Sequence, residues 1–538
     1  MKNKSKLILY VLLAISVVIG VAFLFLNKGT GDGTMVSTIL NWAYILLAIA
    51  ILLAIFLPMV YRSGRGGKKT LINISKKTFI SVSALLLGLL LFSIILTYIV
   101  PKGDFGVLPD GSVNYLEYIP RSNQGGISLI RGILAPVLVF LSSDGASLIV
   151  LSLFLFFISA AFQVMNDVGG IRAIVDAVST RFRERRALLL VLVSFLFYCF
   201  GSFLGLFEEM LTMLPIVTAL CLSVGLDSFT GFLCCTIACG FGFAGAVTNP
   251  FTVLLASQII GANPVQNIWF RLLIFAVMFG LLMLYVFSHV RRITKDPLSS
   301  PTYVHDMEMK DAHGNDSLNT EIKNENRIRT VYSVFLSVAL VLIIAVSLMP
   351  SVRGLAVVIL AAYFLVFGII TGIVACGEPK KVLRSFLNGV LGALPTLAFI
   401  AFAASVKFVF EEGGILPTIV HQINLMIEGH SLITVALSIY LIVLILEFFI
   451  SSSTAKAILV MGLLAMVNTG LSRQMLVLLY TFGDGYTNVI FPTSPVLLIS
   501  LSMIEVDYFK WMKRGLPLFL STFVLVVAFI ALGIAAGY

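Results

Sequence analysis

Residues 206–251 read LFEEMLTMLPIVTALCLSVGLDSFTGFLCCTIACGFGFAGAVTNPF, and residues 451–496 read SSSTAKAILVMGLLAMVNTGLSRQMLVLLYTFGDGYTNVIFPTSPV. The two stretches align without a gap at an offset of 245 positions. Identical residues recur at matching places: Gly225 and Gly470, Leu226 and Leu471, Gly240 and Gly485, Thr248 and Thr493, and Pro250 and Pro495. Both stretches lie in apolar sequence and place polar residues where hydrocarbon is expected. Repeated membrane helices with polar interruptions are typical of secondary transporters, and this repeat predicts one.

The composition of the 538 residues indicates a helical membrane protein. Hydrophobic residues make up 59% of the chain and charged residues 12%, and the mean hydropathy is +1.06. A water-soluble protein of this length could not solvate so much apolar surface. Apolar runs of about 20 residues without period-two alternation exclude a membrane β-barrel. The net charge of +10 comes mostly from Lys and Arg clusters beside these runs, so no nucleic-acid partner is expected.

Apolar segments about 20 residues long predict eleven full membrane crossings. They lie at about 7–26, 38–61, 78–100, 146–166, 229–262, 267–289, 329–348, 354–376, 388–409, 474–504 and 515–536. Two further apolar pairs, 187–224 and 431–469, are predicted to be re-entrant hairpins. Each pair could instead form two complete spans, in which case Glu208 and Glu209 would form an exposed acidic turn. Neither pair has a true loop at its tip, which favours the re-entrant interpretation.

Clusters of Lys and Arg indicate which loops face the cytoplasm. The basic loop 62–77, the segment 181–186 and the long polar stretch 291–328 are all predicted to be cytoplasmic. No cleavage site follows the first span, so we expect that span to be retained, with the N-terminus in the cytoplasm. Five predicted crossings separate the two hairpins. Because five is odd, the hairpins should enter the membrane from opposite faces, which makes the repeat inverted.

The predicted fold class is therefore an all-α polytopic membrane protein built on an inverted-topology repeat. Four units are expected along the chain: an N-terminal membrane helix with an outer loop at 1–37, a first inverted repeat at 38–290, a cytoplasmic linker at 291–328 and a second inverted repeat at 329–538. The first repeat contains hairpin 187–224 and broken helix 229–262. The second contains hairpin 431–469 and broken helix 474–504.

Each crossing that follows a hairpin contains a predicted helix break. A threonine and a capping residue precede proline in both: Thr248, Asn249 and Pro250 in the first, and Thr493, Ser494 and Pro495 in the second. Asn249 and Ser494 are each expected to cap a half-helix that has proline at its first position. Backbone carbonyls at such a break suit a cation, and a half-helix N-terminus suits an anion. A plain proline kink is the alternative for either segment.

The predicted hairpin tips carry further candidate binding residues. Glu208 and Glu209 at the first tip would lie near the middle of the membrane, where a charged carboxylate costs about 2.5–3.5 kcal/mol on insertion scales. Two adjacent carboxylates need a cation or a shared proton, so Na+, a proton and a substrate ammonium group are all candidates. The second tip offers a run of hydroxyl groups: Ser451, Ser452, Ser453 and Thr454.

Two more charged residues fall within the second repeat, Lys456 and Asp484. Lys456 could neutralise Glu208 or Asp484, hold a substrate carboxylate, or occupy the volume of a sodium ion. It could also be a lysine that snorkels from a helix end. Asp484 is a third intramembrane acid, with a structural ion pair as the alternative interpretation. Asn488 adds an amide four residues further on.

Three motifs resemble the anaerobic C4-dicarboxylate carrier type C family: Phe-Glu-Glu at 207–209, Thr-Asn-Pro-Phe at 248–251, and Phe-Gly-Asp-Gly-Tyr-Thr-Asn-Val-Ile-Phe-Pro-Thr-Ser at 482–494. The resemblance covers about residues 77–538. It extends to relatives described as basic amino-acid antiporters and to the ion transporter superfamily. It implies a scaffold domain and a mobile transport domain with two opposed hairpins, usually in a homodimer that works by an elevator motion.

The same resemblance assigns the superfamily's Ser-Asn-Thr hairpin tips to residues 207–209 and 452–454. Its Thr-Pro helix breaks correspond to residues 248–250 and 493–495. This chain departs from the pattern at the first tip, which reads Phe-Glu-Glu. It also departs at Lys456, where a sodium-coupled relative would carry a small or amide residue.

We therefore expect a secondary transporter in the bacterial cytoplasmic membrane that moves a small carboxylate-bearing metabolite by symport or exchange. Half-helix N-termini and hydroxyl groups would hold the carboxylate, and Glu208, Glu209 or Asp484 would hold a cation. An amino acid, in particular a basic one, and a C4-dicarboxylate are the two candidate substrates. An ion channel, and a carrier of another organic anion such as a short fatty acid, are the alternatives.

No enzymatic activity is expected, because no nucleophile has a base near it in the sequence. No cofactor and no metal centre are expected either, since the histidines are scattered and the cysteines lie in apolar segments. The candidate coupling ions are Na+ and H+, with the hairpin tips as the place where Na+ would bind. The expected partners are a small-molecule substrate, membrane lipid and a second copy of the chain.

Overall fold

A computed structural model describes residues 76–109, 113–122, 125–182, 184–309, 324–349, 355–427 and 430–538. The predicted crossings at 7–26 and 38–61 and the unit 1–37 lie outside the described residues. Most of the basic loop 62–77 and the middle of the predicted linker, 310–323, lie outside them as well.

The described chain is built almost entirely from helices. In chain order they are α1 (Lys76–Ile99), α2 (Leu129–Leu141), α3 (Gly145–Asp167), α4 (Gly170–Phe182), α5 (Arg186–Leu204), α6 (Met210–Ser223), α7 (Ser228–Ala244), α8 (Pro250–Ile260), α9 (Ile268–Lys295), α10 (Glu325–Leu348), α11 (Ala356–Cys376), α12 (Pro379–Gly413), α13 (Leu416–Ile427), α14 (Leu432–Phe449), α15 (Ser453–Met466), α16 (Arg473–Gly485), α17 (Pro495–Met503) and α18 (Tyr508–Ala535).

One two-stranded hairpin is added to this helical fold. Strands β1 (Gly103–Val107) and β2 (Val113–Pro120) pair antiparallel in the segment between α1 and α2. The aromatic and β-branched residues of β2, namely Val113, Tyr115, Tyr118 and Ile119, favour a strand, because such side chains pack on a pleated surface. Arg121 closes the open end of the hairpin with two hydrogen bonds of 2.6 Å to the Asp104 carboxylate.

Within the described residues, nine helices are long and apolar enough to cross a membrane: α1, α3, α5, α9, α10, α11, α12, α14 and α18. Seven of them fall on predicted crossings. The other two, α5 and α14, are the first arms of the predicted hairpins. The protein is thus a multi-pass helical membrane protein. Helix α12 is longer than the predicted crossing 388–409, since it continues without a break from Pro379 to Gly413.

The remaining two predicted crossings are each divided into two short helices. The crossing at 229–262 consists of α7 and α8, separated by residues 245–249, which we call break 1. The crossing at 474–504 consists of α16 with its following 3-10 turn (Tyr486–Val489) and α17, separated by residues 490–494, which we call break 2. Proline stands at the first position of α8 and of α17, where no helical hydrogen bond is lost.

The second arms of the two predicted hairpins are short. Helices α6 and α15 have 14 residues each, which corresponds to a length of about 21 Å. The hydrocarbon core of a bilayer is about 30 Å thick. We call α5, residues 205–209 and α6 hairpin 1, and we call α14, residues 450–452 and α15 hairpin 2.

The 245-residue offset extends beyond the quoted stretches. When its residue numbers are increased by 245, α5 coincides with α14 and α8 with α17. The shifted range of α9 agrees with that of α18 to within about five residues. Gly225 and Gly470 both have a positive φ, at +82° and +71°, and both follow the second arm of a hairpin. The residues two positions later, Asp227 and Ser472, both cap the next helix through their side chains. The repeat in the sequence is therefore a repeat of backbone conformation.

Helices α3 and α12 form the centre of the part of the molecule without hairpins. Helix α1 packs on α12, and α11 packs on α3. The approach is closest at Gly389, where a Cβ would lie 2.5 Å from the Cα of Ala160. Ser159 donates a hydrogen bond of 2.9 Å to the carbonyl of Gly389 at the same crossing.

Candidate functional site

Hairpin 1 and break 1 are joined by hydrogen bonds to the unwound backbone. Ser202, in the last turn of α5, donates to the carbonyl of Gly245 at 2.8 Å and accepts from the amide of Val247. The side-chain amide of Asn249 donates to the carbonyl of Gly201 at 2.9 Å. Thr248 donates to the carbonyl of Phe203. The polar groups of break 1 are thus used to attach the broken helix to the first hairpin.

Asn249 also caps α8, as predicted. Its side-chain oxygen accepts hydrogen bonds from the amides of Phe251 at 2.9 Å and Thr252 at 3.2 Å. The cap is fully buried. The first amides of α8 are therefore occupied by the protein itself, which leaves this half-helix less free to bind a substrate carboxylate.

Break 2 differs from break 1 at its cap. Ser494 stands at the capping position of α17 but makes no side-chain cap bond, so the prediction that it caps this half-helix is wrong. The hydroxyl of Thr493 is buried and has no hydrogen-bond partner among the described residues. Because a helix N-terminus leaves its first amides unsatisfied, the start of α17 combines uncapped amides with a free buried hydroxyl. That combination suits an anion.

The carbonyls at the start of break 2 accept hydrogen bonds from aromatic side chains of α18. Trp511 donates to the carbonyl of Val489, and Tyr508 donates to the carbonyl of Ile490, each at 2.9 Å. Asn488 donates to the carbonyl of Asp484 at 2.8 Å, so its amide serves the backbone of the turn. The aromatic residues of α18 belong to the construction of the site, although the sequence motifs did not single them out.

The two acids at the tip of hairpin 1 have different surroundings. Glu209 is buried, and its carboxylate accepts a hydrogen bond of 3.2 Å from the amide of Phe207. Glu208 is half-buried. In the described part of the chain, the Glu208 carboxylate accepts no hydrogen bond from another residue and forms no ion pair. An acid without a cation at such a tip is available for a cationic group.

The tip of hairpin 2 presents hydroxyl groups. Ser451, Ser452 and Thr454 are exposed at the tip. Ser452 also caps α15 by accepting from the amide of Ala455 at 3.3 Å. Ser453 turns inward and donates to Asp484 at 3.0 Å. The predicted run of hydroxyls is therefore divided between the surface of the tip and the interior.

Lys456 is completely buried and forms two ion pairs. Its ammonium group contacts the carboxylate of Glu447 and, at 2.8 Å, that of Asp484. It also donates to the carbonyl of Ile450 at 3.1 Å. The interpretation in which Lys456 neutralises Asp484 is confirmed. Those in which it snorkels to a helix end or neutralises Glu208 are wrong. Protein oxygens surround the ammonium group, which does not favour a role in holding a substrate carboxylate.

Glycines at matching places bring the two halves together. A Cβ at Gly485 would lie 2.5 Å from the Cα of Ala244, so α16 crosses α7 at backbone contact. Gly240, the equivalent residue in the first half, lies against the side chains of Val489 and Phe207. The tip of hairpin 1 and the residues before break 2 therefore meet around Gly240. Helix α8 packs on α15, and α17 packs on α6 in the same way.

Two residues of this region were not predicted from the sequence. Glu447 is the acid in the otherwise apolar helix α14, and an acid in such a helix is a signal that sequence reading could have used. Arg271 is buried at the start of α9 and donates to the carbonyl of Ala246 in break 1 at 3.3 Å. Its signal was weaker, since it lies close to the predicted end of a span. In the described residues, no group of three or more His, Cys, Asp and Glu side chains forms a metal site.

The chain matches a known family of membrane proteins. Residues 79–535 match the family model described as DcuC, a C4-dicarboxylate anaerobic carrier. The chain is 25% identical over 380 residues to "Putative basic amino acid antiporter YfcC" of Escherichia coli K12, covering 68% of this chain and 74% of that protein. It is also 25% identical over 368 residues to an uncharacterized protein of Haemophilus influenzae, covering 68% and 71%.

Two solved structures show a weaker likeness. The YdaH transporter of Alcanivorax borkumensis gives a TM-score of 0.41 at 15% identity, covering 85% of this chain and 99% of that one. MtrF of Neisseria gonorrhoeae gives a TM-score of 0.39 at 16% identity, covering 88% and 97%.

Proposed function

The chain belongs to the DcuC family of C4-dicarboxylate anaerobic carriers, and from this membership we propose that it is a secondary active transporter that exchanges basic amino acids. The protein is a membrane transporter and not an enzyme. The finer proposal is that the substrate carries a carboxylate and an additional cationic group. We further propose a location in the bacterial cytoplasmic membrane, with the N-terminus in the cytoplasm.

The single observation that supports a cationic substrate is the state of Glu208. Its half-buried carboxylate has no cationic partner among the described residues. Lys456, the only lysine in the two aligned stretches 206–251 and 451–496, is already bound by Glu447 and Asp484. An unpaired carboxylate inside a membrane protein is costly unless a cation arrives. The ammonium or guanidinium group of a basic amino acid supplies that cation.

The carboxylate of the same substrate is assigned to the start of α17. The amides of α17 are not capped by Ser494, and the buried hydroxyl of Thr493 is free. Glu208 is adjacent in sequence to Phe207, which lies against Gly240, as does Val489 just before break 2. This proximity supports a substrate with its positive end at the tip of hairpin 1 and its negative end at the start of α17. The exposed hydroxyls of Ser451, Ser452 and Thr454 would complete its surroundings.

The transport mechanism proposed is an elevator motion with two opposed re-entrant hairpins. The short second arms, α6 and α15, support the re-entrant interpretation over two complete spans, since about 21 Å does not cross about 30 Å of hydrocarbon. The hairpins and broken helices pack mostly on one another, and so do α1, α3, α11 and α12, while smaller contacts such as that of α12 with α17 join the two groups. We propose that the first group moves against the second, in a homodimer.

A C4-dicarboxylate is the second candidate, and it is favoured by the description of the family. A dianion would need two positively polarised sites. The start of α17 offers one, but the buried Lys456 does not offer the other, because its ammonium group already contacts two carboxylates. The name of the relative in Escherichia coli K12 agrees with the first candidate.

Purified protein in proteoliposomes tests the proposal. Vesicles loaded with unlabelled lysine, arginine or ornithine are expected to take up radiolabelled lysine by counterflow, with saturation. Vesicles loaded with succinate or fumarate are expected to show none. Counterflow of succinate or of a short fatty acid without counterflow of lysine would overturn the choice of substrate. Flux that neither saturates nor shows counterflow would identify a channel.

Glu208→Gln tests the residue that carries the proposal. The amide keeps the size of the side chain and removes the charge, so we expect lysine counterflow to fall by at least about tenfold. Glu378→Gln is the matched control, because Glu378 is exposed before α12 and lies in neither hairpin. Wild-type activity in Glu208→Gln, with a normal amount of folded protein in the membrane, would contradict the assignment of Glu208.

A further inference from the structure

The surroundings of Lys456 have the composition of a cation site. Its ammonium group meets oxygens of the Glu447 carboxylate, the Asp484 carboxylate and the Ile450 carbonyl. The hydroxyl of Ser453 lies behind them, 3.0 Å from the other oxygen of Asp484. Carboxylates, backbone carbonyls and hydroxyls are the ligands that proteins use for hard cations. Here the cation is an ammonium group attached to the chain.

This buried cation joins three elements of the second half. Glu447 belongs to α14, the first arm of hairpin 2, and Lys456 belongs to α15, the second arm. Asp484 belongs to the broken helix α16. The two ion pairs therefore tie both arms of hairpin 2 to the broken helix at its unwound end. Tyr480 of α16 strengthens the same junction by donating to the carbonyl of Ser453.

The three equivalent residues in the first half are uncharged. At the 245-residue offset, Glu447, Lys456 and Asp484 correspond to Ser202, Leu211 and Cys239. Ser202 joins α5 to break 1 by neutral hydrogen bonds, and the thiol of Cys239 donates to the carbonyl of Leu206. A hairpin of this architecture is thus held to its broken helix without any ion pair. The charges at hairpin 2 need another explanation.

We propose that the ammonium group of Lys456 is a built-in cation that takes the place of a dissociable coupling ion at hairpin 2. With this cation permanently present, hairpin 2 closes on the broken helix without binding Na+. The transporter then exchanges one substrate for another without drawing on a sodium gradient. The predicted exchange without a sodium gradient rests on the proposed function. The identity of the cation at hairpin 2 does not depend on that function and is tested separately.

The first experiment compares the thermal stability of purified variants in NaCl and in choline chloride at constant ionic strength. Wild type is expected to have the same Tm in both. Lys456→Ala removes the cation and leaves space between Glu447 and Asp484, so its Tm should be low in choline. It should rise saturably by at least about 3 °C as Na+ increases from about 1 mM to about 300 mM.

Three further variants control for the effects of lost packing and charge. Lys456→Met removes the charge but fills the space, and it should be destabilised without recovery in Na+. The double variant Lys456→Ala, Glu447→Gln should lose the Na+ response. Lys407→Ala is the matched control, because Lys407 also binds two acids, Asp144 and Glu411, but lies in α12 outside the hairpins. Its Tm should fall without any Na+ response.

Two results would overturn the proposal. One is a saturable rise in the wild-type Tm with Na+ that disappears in Glu447→Gln. The other is an equal Tm of Lys456→Ala in Na+ and in choline while the variant is folded. If Lys456→Ala does not fold in either salt, substrate counterflow by the wild-type protein is measured with and without Na+. Counterflow that depends on Na+ would contradict a built-in cation. The thermal measurements need no substrate, so a wrong choice of substrate would leave them unchanged.

Discussion

At the scale of single residues, Lys456 is the residue whose interpretation differs most between the sequence and the structure. A buried lysine without partners would be too costly in a membrane interior. The two carboxylates and one carbonyl around its ammonium group offset that cost. The consequence is that the charge of Lys456 is used inside hairpin 2. The two acids at the tip of hairpin 1 have no such partner, and the half-buried Glu208 is the one that we assign to the charge of the proposed substrate.

The caps of the two half-helices allow a matched prediction. Asn249→Ala is expected to lower the free energy of unfolding by about 2–3 kcal/mol, because it removes a cap and leaves the carbonyl of Gly201 without its donor. Ser494→Ala, at the equivalent position of the second half, should cost less than about 0.5 kcal/mol, because Ser494 makes no side-chain cap bond. Thermal or denaturant unfolding in detergent measures both. Equal losses of stability would contradict the difference between the caps.

At the scale of elements, the crossing of α7 and α16 depends on a glycine. Gly485→Ala is expected to lower the free energy of unfolding by about 1–3 kcal/mol, because the new methyl group would press on the backbone of Phe243 and Ala244. Gly280→Ala is the control, since a Cβ at this position of α9 meets nothing within 4 Å. Its stability should be unchanged or slightly higher, because alanine favours helix. A tolerated Gly485→Ala would show that α7 and α16 can separate.

The start of the predicted linker forms another element-level contact. Residues 297–309 fold back on the start of α7, where Ser300 donates to Asp227 at 2.6 Å and the amide of Ser228 donates to Asp306 at 3.1 Å. His289 at the end of α9 lies 3.0 Å from Asp227. The first part of the linker is therefore attached to the start of α7.

The two acids at this contact, Asp227 before α7 and Asp306 in the linker, have pKa values shifted in opposite directions. Burial by itself would raise the pKa of Asp227, but hydrogen bonds from His289, Ser300 and Thr230 lower it to about 2. Burial raises the pKa of Asp306 above its ordinary value, although Ser228 and Thr302 donate to it. One oxygen of Asp306 has no hydrogen-bond partner among the described residues. The charged form is thus stabilised at Asp227 and destabilised at Asp306.

These directions predict the effects of neutral replacements. Asp227→Asn should lower the Tm at pH 7. A group with a lowered pKa contributes its stability above its unfolded value, near 3.8, so the difference from wild type should shrink as the pH falls from there towards about 2. Asp306→Asn should leave the Tm unchanged or raise it. Thermal unfolding from pH 7 downwards measures both, and a loss of stability in Asp306→Asn equal to that in Asp227→Asn would be the contrary result.

At the scale of the whole molecule, the inverted arrangement of the two repeats is the central prediction. Ser223 and Asn468 are equivalent residues at the ends of the hairpins, and both are exposed. They are better sites for cysteine than Gly225 and Gly470, because those glycines have a positive φ that a larger residue would strain. A membrane-impermeant thiol reagent added outside cells is expected to label Asn468→Cys and not Ser223→Cys. Labelling of both from the same side would contradict inverted repeats.

The helix breaks and the paired hairpin arms could be predicted from local sequence. The breaks at 245–249 and 490–494 follow from proline preceded by a capping residue in an apolar helix, and the hairpins follow from apolar pairs without a loop. The common offset relates these features to each other. All of them depend on backbone preferences of neighbouring residues, so no knowledge of distant contacts is needed to find them.

The partners of the charged side chains could not be predicted in this way. Glu447, Lys456 and Asp484 lie on three helices, and the rotation and crossing of those helices decide which acid meets the lysine. Sequence alone left Lys456 with five interpretations and gave Glu447 none. The chain therefore specified the repeat, the breaks and the helical class through local backbone chemistry. Tertiary packing selected the ion pairs, and through them the charge that remains for a substrate, because electrostatic partners in a membrane interior are set by distances of a few ångströms across helices.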